Sequence, residues 1–208
     1  MSRVRPSRWV GELIVVVVLS GCAYAPPIQE MSDARQSVRA AADVEADRYF
    51  PTLMKDVVAQ LTTAEKRLAV ADYRGAEQQA LAAKSDAVRV RGMVLTLTST
   101  MELITQAERI TQLKPSTRAI LQQALNAALQ GGEAVAMVLA EQARQEAESA
   151  LEEHDLERAQ TLAANLRSQS EPTQNAELRA ALENAEAAIQ RREGHQAYGL
   201  LAPYAYPP

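Results

Sequence analysis

The 208-residue sequence predicts an all-α chain, and three observations predict it. Alanine supplies 39 residues, against only eight Gly and 4% aromatics, and Ala, Leu, Glu, Gln and Arg favour helix. Apolar residues recur at alternating spacings of three and four, the period of a helix face. No segment alternates apolar and polar residues as a half-buried strand does. The expected architecture is a set of antiparallel helical hairpins stacked as a bundle or short solenoid, preceded by a cleaved signal peptide.

The first element is the leader, residues 1–21. Arg3, Arg5 and Arg8 form a basic region, followed by the apolar run Leu13–Leu19. That run is too short to span a bilayer, which takes about 20 apolar residues, but has the length of a signal-peptide core. It closes on Leu19-Ser20-Gly21-Cys22, which resembles the lipobox of bacterial lipoproteins. Leu19, Ser20 and Gly21 would be the signal-peptide recognition residues, the small ones admitting the peptidase. Cys22 would be the lipidation site, its thiol taking the diacylglycerol. Removal of residues 1–21 takes away three Arg and one Glu, so the remainder carries a net charge of −6 instead of −4. It also removes the single Trp, Trp9. One acyl chain anchors weakly, at roughly 0.8 kcal/mol per buried methylene; the resemblance implies two or three chains. Ala23, where enterobacterial lipoproteins retained in the inner membrane carry Asp, implies the outer membrane.

Residues 22–30 read as an extended lipidated tether, because Pro26-Pro27 cannot be helical. An N-terminal hairpin region is expected over 31–113. Ser32 is the expected cap of its first helix, with Met31, Ala34, Val38 and Ala41 or Ala42 on one face. Pro51 suits the first position of a second helix, whose seam is Met54, Val57, Leu61, Ala64, Leu68 and Ala71. Asp72 ends it. A third helix opens at Tyr73 with the seam Ala76, Ala80, Ala83, Ala87, Val90 and Val94, continuing through Leu97, Met101 and Ile104 to about Leu113 if Gly92 does not break it. Large residues of one helix then face small residues of the next, which brings axes towards the short end of the 8–10 Å range.

C-terminal hairpins are expected over 114–201. Ser116 would cap a fourth helix with Ile120, Ala124 and Ala127 or Ala128 inside, and Gly131-Gly132 breaks the chain. A fifth helix, seamed by Ala136, Ala140, Ala143, Ala147 and Ala150, is expected to end near His154. Leu156, Ala159, Ala163 and Leu166 would form a sixth. Pro172 and Thr173 would start a seventh with Leu178, Leu182, Ala185 and Ile189 inside, ended by Gly194, and a last turn would reach Leu201. Residues 202–208 read as an extended Pro/Tyr-rich tail that could dock in a groove or fold back onto the chain's own helices.

The pattern Ala64-Glu65-x-x-Leu68-x-x-x-Asp72-x-x-x-Ala76-x-x-x-Ala80 recurs at Ala147–Ala163, centred on Asp155, with all six named positions in agreement. A weaker copy, Ala185-Glu186-x-x-Ile189-x-x-x-Glu193-x-x-x-Ala197, follows. The unit reads as helix, acidic turn, helix, and such repetition marks stacked helical hairpins. Asp72-Tyr73-x-x-Ala76 is similar to the turn of tetratricopeptide repeats, whose Trp and Gly-Tyr positions are missing here. Residues 27–91 resemble the bacterial family called "domain of unknown function 4398". Pro27, Met31, Ala34, Val38, Ala41, Pro51, Leu61, Ala64, Leu68, Asp72-Tyr73, Ala76, Ala80, Ala83 and Ala87 carry that resemblance. It implies envelope lipoproteins and brings no activity to transfer. The peptidoglycan-binding domain some relatives carry has no counterpart.

Residues for chemistry are few. A single Cys excludes a disulfide framework, and mild acidity without basic runs argues against nucleic acid. His154 and His195, beside Glu152, Glu153, Asp155 and Glu193, lack His-x-x-x-His spacing and read first as exposed turn residues rather than a weak metal site. Gly131-Gly132 lacks the Lys-Ser/Thr of a phosphate loop, and no Gly-x-Ser-x-Gly elbow occurs. Lys84, Arg89 and Arg91 form a short basic stretch, read first as a solvated face. No catalytic residue, metal or cofactor is expected. The expected role is a non-enzymatic, outer-membrane, periplasm-facing lipoprotein. It would meet the membrane through Cys22 and serve as scaffold or adaptor for another envelope protein. A self-associating coiled-coil spacer, a homo-oligomer, is the alternative, and a cell-wall hydrolase the less favoured one.

Overall fold

The computed structural model describes residues 25–169 and 176–205. Every regular element among them is α-helical: α1 (Ile28–Ala42), α2 (Ala46–Tyr49), α3 (Pro51–Ala69), α4 (Tyr73–Ile110), α5 (Pro115–Leu129), α6 (Glu133–Gln169), α7 (Ala176–Gln190) and α8 (Gly194–Ala205). They form two compact units, one from residues up to Asp43 with Met54–Arg89, the other from Val44–Leu53 with Val90 onward.

In the first unit, Met31 and Ala34 of α1 meet Ala64 of α3 and Ala80 and Ala83 of α4, with Leu61 and Leu68 packed alongside. This is the large-against-small pairing that the seams anticipate. Because Ala buries little area, stability builds from many modest contacts at about 25 cal/mol per Å². In the second unit α6 packs against α5, α7 and α8. Its first half meets Ile104, Ala107 and Leu121 through Ala143 and Ala147. Its second half meets Leu178, Leu182, Ala185 and Leu201 through Ala163 and Leu166.

Several boundaries differ from expectation. α1 begins at Ile28, before Ser32, and no side chain caps it. Pro115 rather than Ser116 opens α5, with its ring at the first position where no intrahelical N–H is needed. α2 is a single turn that the sequence did not announce. α4 passes Gly92 unbroken and ends at Ile110. The largest correction concerns α6, which runs through His154 for 37 residues. The charged run Glu152–Asp155 contains neither Gly nor Pro, and such residues cost a helix only tenths of a kcal/mol each. Gly194 opens α8 instead of ending α7, and α8 continues to Ala205 with Pro203 inside. The Pro172 start lies outside the described residues, as does the end of the tail.

Three turns share one backbone design. Ala71, Gly131 and Arg192 adopt left-handed φ of 59°, 80° and 61°. At each, the next residue's N–H donates to the carbonyl five residues back: Asp72 to Arg67 at 3.0 Å, Gly132 to Ala127 at 2.8 Å, Glu193 to Ala188 at 2.9 Å. The left-handed residue's own N–H donates three residues back, to Leu68, Ala128 and Ile189. This is the Schellman ending of a helix. In each case the next residue opens the following helix, accepting from Ala76, Ala136 and Ala197 at 2.9 Å. The structural repeat therefore recurs at turns 71, 131 and 192, with a short helix before each. Ala64, Ala124 and Ala185 are fully buried before the three turns, and Ala76, Ala136 and Ala197 after them. Of the three copies of the sequence pattern, those centred on Asp72 and Glu193 coincide with turns, whereas the one centred on Asp155 lies inside α6 and makes no turn.

Candidate functional site

Leu19, Ser20, Gly21 and Cys22 lie outside the described residues. The structure instead shows where the other candidates fall.

The two histidines converge on one carboxylate. His195 Nδ1 lies 3.1 Å from Asp155 Oδ2, and His154 Nδ1 lies 3.8 Å from Asp155 Oδ1. His195 is the second residue of α8 rather than a turn residue, its side chain 87% exposed, whereas His154 sits in mid-helix with 26% exposed; the expected place of His154 at a helix end is corrected with the α6 boundary. Among the described residues no group of three His, Cys, Asp or Glu is arranged to hold a metal ion. The neighbouring Glu152 has a structural task. Its Oε1 accepts from the Gly194 backbone N–H and, at 3.4 Å, from that of His195. It thereby caps α8 from another helix, supplying orphan donors with an acceptor at the positive end of the dipole. Asp72 does the same job from within its own turn, accepting from the Gly75 N–H at 3.0 Å and from Arg67 at 3.1 Å.

The basic stretch is largely committed to ion pairs. Lys84 Nζ donates to Asp33 at 2.8 Å, and that hydrogen bond holds the Asp33 carboxyl below its usual range. Arg89 lies 3.3 Å from Asp86. Likewise Arg118 grips Glu108 through two nitrogens, lowering the Glu108 pKa. These pairs are exposed or only half-buried, so each contributes little to stability.

The grooves are open. One, about 550 Å³, runs along Met101, Thr105 and Arg109 of α4 beside Tyr49. A more polar cleft of about 330 Å³ is lined by Gln142, Gln145, Ser149 and Lys114. At its edge the buried Thr117 hydroxyl donates to Glu146 Oε2 at 2.7 Å. Sequence reading missed that pair, as it missed Arg158, which stacks 4.0 Å from the centroid of the Tyr198 ring. Neither has a local signature, because the partners are 29 and 40 residues apart. Tyr204 packs onto the Leu178–Leu182–Leu201 cluster, so this part of the tail folds back. No described helix is long and apolar enough to cross a membrane. Comparison with family models, curated proteins and solved structures finds no match.

Proposed function

We propose that the chain is a non-enzymatic lipoprotein of the outer membrane, facing the periplasm, that holds another envelope protein on a helical scaffold. The observation that carries this reading is the Leu19-Ser20-Gly21-Cys22 segment behind a basic, apolar leader. Its chemistry needs a thiol and two small residues at that place, and the chain spends its single Cys there. The three equivalent turns, each flanked by fully buried Ala residues, support hairpins stacked as a bundle or short tetratricopeptide-like solenoid. Scaffolds of that kind offer broad helical surfaces to protein partners.

Photo-crosslinking in cells tests the adaptor role. A crosslinkable residue at Gln123, Gln142 or Thr105 in the full chain should trap a discrete envelope protein. Recovery of nothing beyond abundant neighbours, from all three positions, overturns it.

A further inference from the structure

The three repeat units centred on the turns at Ala71, Gly131 and Arg192, distinct from the two compact units of the fold, serve as internal controls for one another, and the middle one departs from the other two. Residues 119–140, which bracket the Gly131-Gly132 turn, contain a single charged residue, Glu133. The equivalent stretch 59–80 contains six, and 180–201 contains five. On α6, Val135 and Val138 are one helical turn apart and 57% and 68% exposed; Leu129, before the turn, is 50% exposed. The equivalent residues are Ala69, Gly75 and Gln78 in the first unit and Gln190, Gln196 and Gly199 in the third. Those are small or polar. The same backbone positions are thus kept water-compatible twice and made apolar once, so the repeat itself does not require the valines.

We propose that this α5–α6 end of the middle unit is a contact site for a second copy of the chain. Three arguments favour a second copy over other occupants. Charge depletion with exposed aliphatic residues is the composition of an interface core. A two-fold contact lays a patch on itself, so an apolar, nearly neutral patch is self-complementary. Two chains of net charge −4 repel elsewhere and can approach where charge is missing. An anionic membrane surface would want Lys or Arg beside the valines, and residues 119–140 have none. The patch is small against the roughly 800 Å² per partner of a standard interface, so pairing is weak in dilute solution and is strengthened by confinement on a membrane. That last point rests on the lipoprotein reading; the pairing itself does not.

The test is sedimentation equilibrium of the full chain in non-ionic detergent, with Leu129→Gln/Val135→Gln/Val138→Gln beside it. Each substitution introduces a residue type that the other units already carry in the patch. The parent chain should show a monomer–dimer equilibrium, and the triple variant should weaken it at least tenfold with unchanged helicity. Val70→Gln, at an exposed valine of the first unit, should leave it unaltered. Disulfide trapping of Val138→Cys in native membranes should give a homodimer, while Gln78→Cys and Gly199→Cys should not. A monomer at every concentration, a dimer indifferent to the triple variant, or trapping of Val138→Cys only to a different protein overturns the proposal. Because the adaptor role is read by photo-crosslinks at other positions, either idea can fail without the other.

Discussion

Asp72 and Asp155 sit in windows that agree at all six positions of the repeat pattern, yet one ends a helix and the other lies in the middle of one. The difference is in what surrounds the shared residues. Before Asp72 the chain gives up its helix through left-handed Ala71. After it, Gly75 leaves room for the Asp72 carboxylate to swing over its N–H and meet Arg67. Three residues beyond Asp155 stands Arg158, and the helix continues. Asp155 and Glu152 face the incoming α8 and hold its first residues. The apolar spacing therefore decides which face is buried, whereas a turn needs its own local chemistry.

The strongest way to probe this contrast is through the two glycines. A Cβ on Gly194 would overlap the Glu152 carbonyl and the Leu156 backbone nitrogen. Backbone atoms cannot move aside, so Gly194→Ala should cost about 3 kcal/mol, as overpacking does, measured by urea denaturation. A Cβ on Gly75 would overlap only the ends of the Asp72 and Arg67 side chains. Those can shift, and Ala gains about 1 kcal/mol of helix propensity over Gly, so Gly75→Ala should stay within about 0.5 kcal/mol of the parent.

Glu152→Ala should come next, at about 1–2 kcal/mol, since it strips a half-buried helix end of its acceptor. Faster hydrogen exchange confined to the start of α8 would locate the loss. Asp72→Ala should cost about 1 kcal/mol by losing a side-chain cap, while Asp72→Asn retains most of it. Asp155→Ala, despite its identical sequence window, should cost under about 0.5 kcal/mol, because its contact with His195 is exposed. Equal losses at Asp72 and Asp155 would erase the contrast.

The smallest expected effect is a titration. Asp33 is held below the ordinary carboxylate value by the Lys84 hydrogen bond. A lowered folded pKa makes its contribution present above the unfolded value of about 4 and lost as pH falls through the folded one. NMR titration of the Asp33 carboxyl should give a midpoint below about 4, and Lys84→Met should raise it.

Much of the fold is legible in the sequence. The seams of α3, α4 and the first half of α6 predict residues that prove buried, such as Val57, Ala76, Val90, Ala136 and Ala147, because periodicity reports burial directly. Turn placement is less legible. Gly131 announces its left-handed φ, but Ala71 and Arg192 adopt the same conformation without a residue type that favours it. The true spacing of the repeat stays hidden, because the middle turn carries Gly132 where the others carry an acid. The cap by Glu152 is invisible for a different reason: donor and acceptor are 42 residues apart and only packing brings them together.

The functional account depends most on Cys22. Intact-mass measurement of the chain extracted from membranes tests it most directly. The expected species is a polypeptide beginning at Cys22, heavier than its sequence by a diacylglycerol and further acyl chains. A chain that retains residues 1–21, or one that begins at Cys22 with no lipid mass, would contradict it.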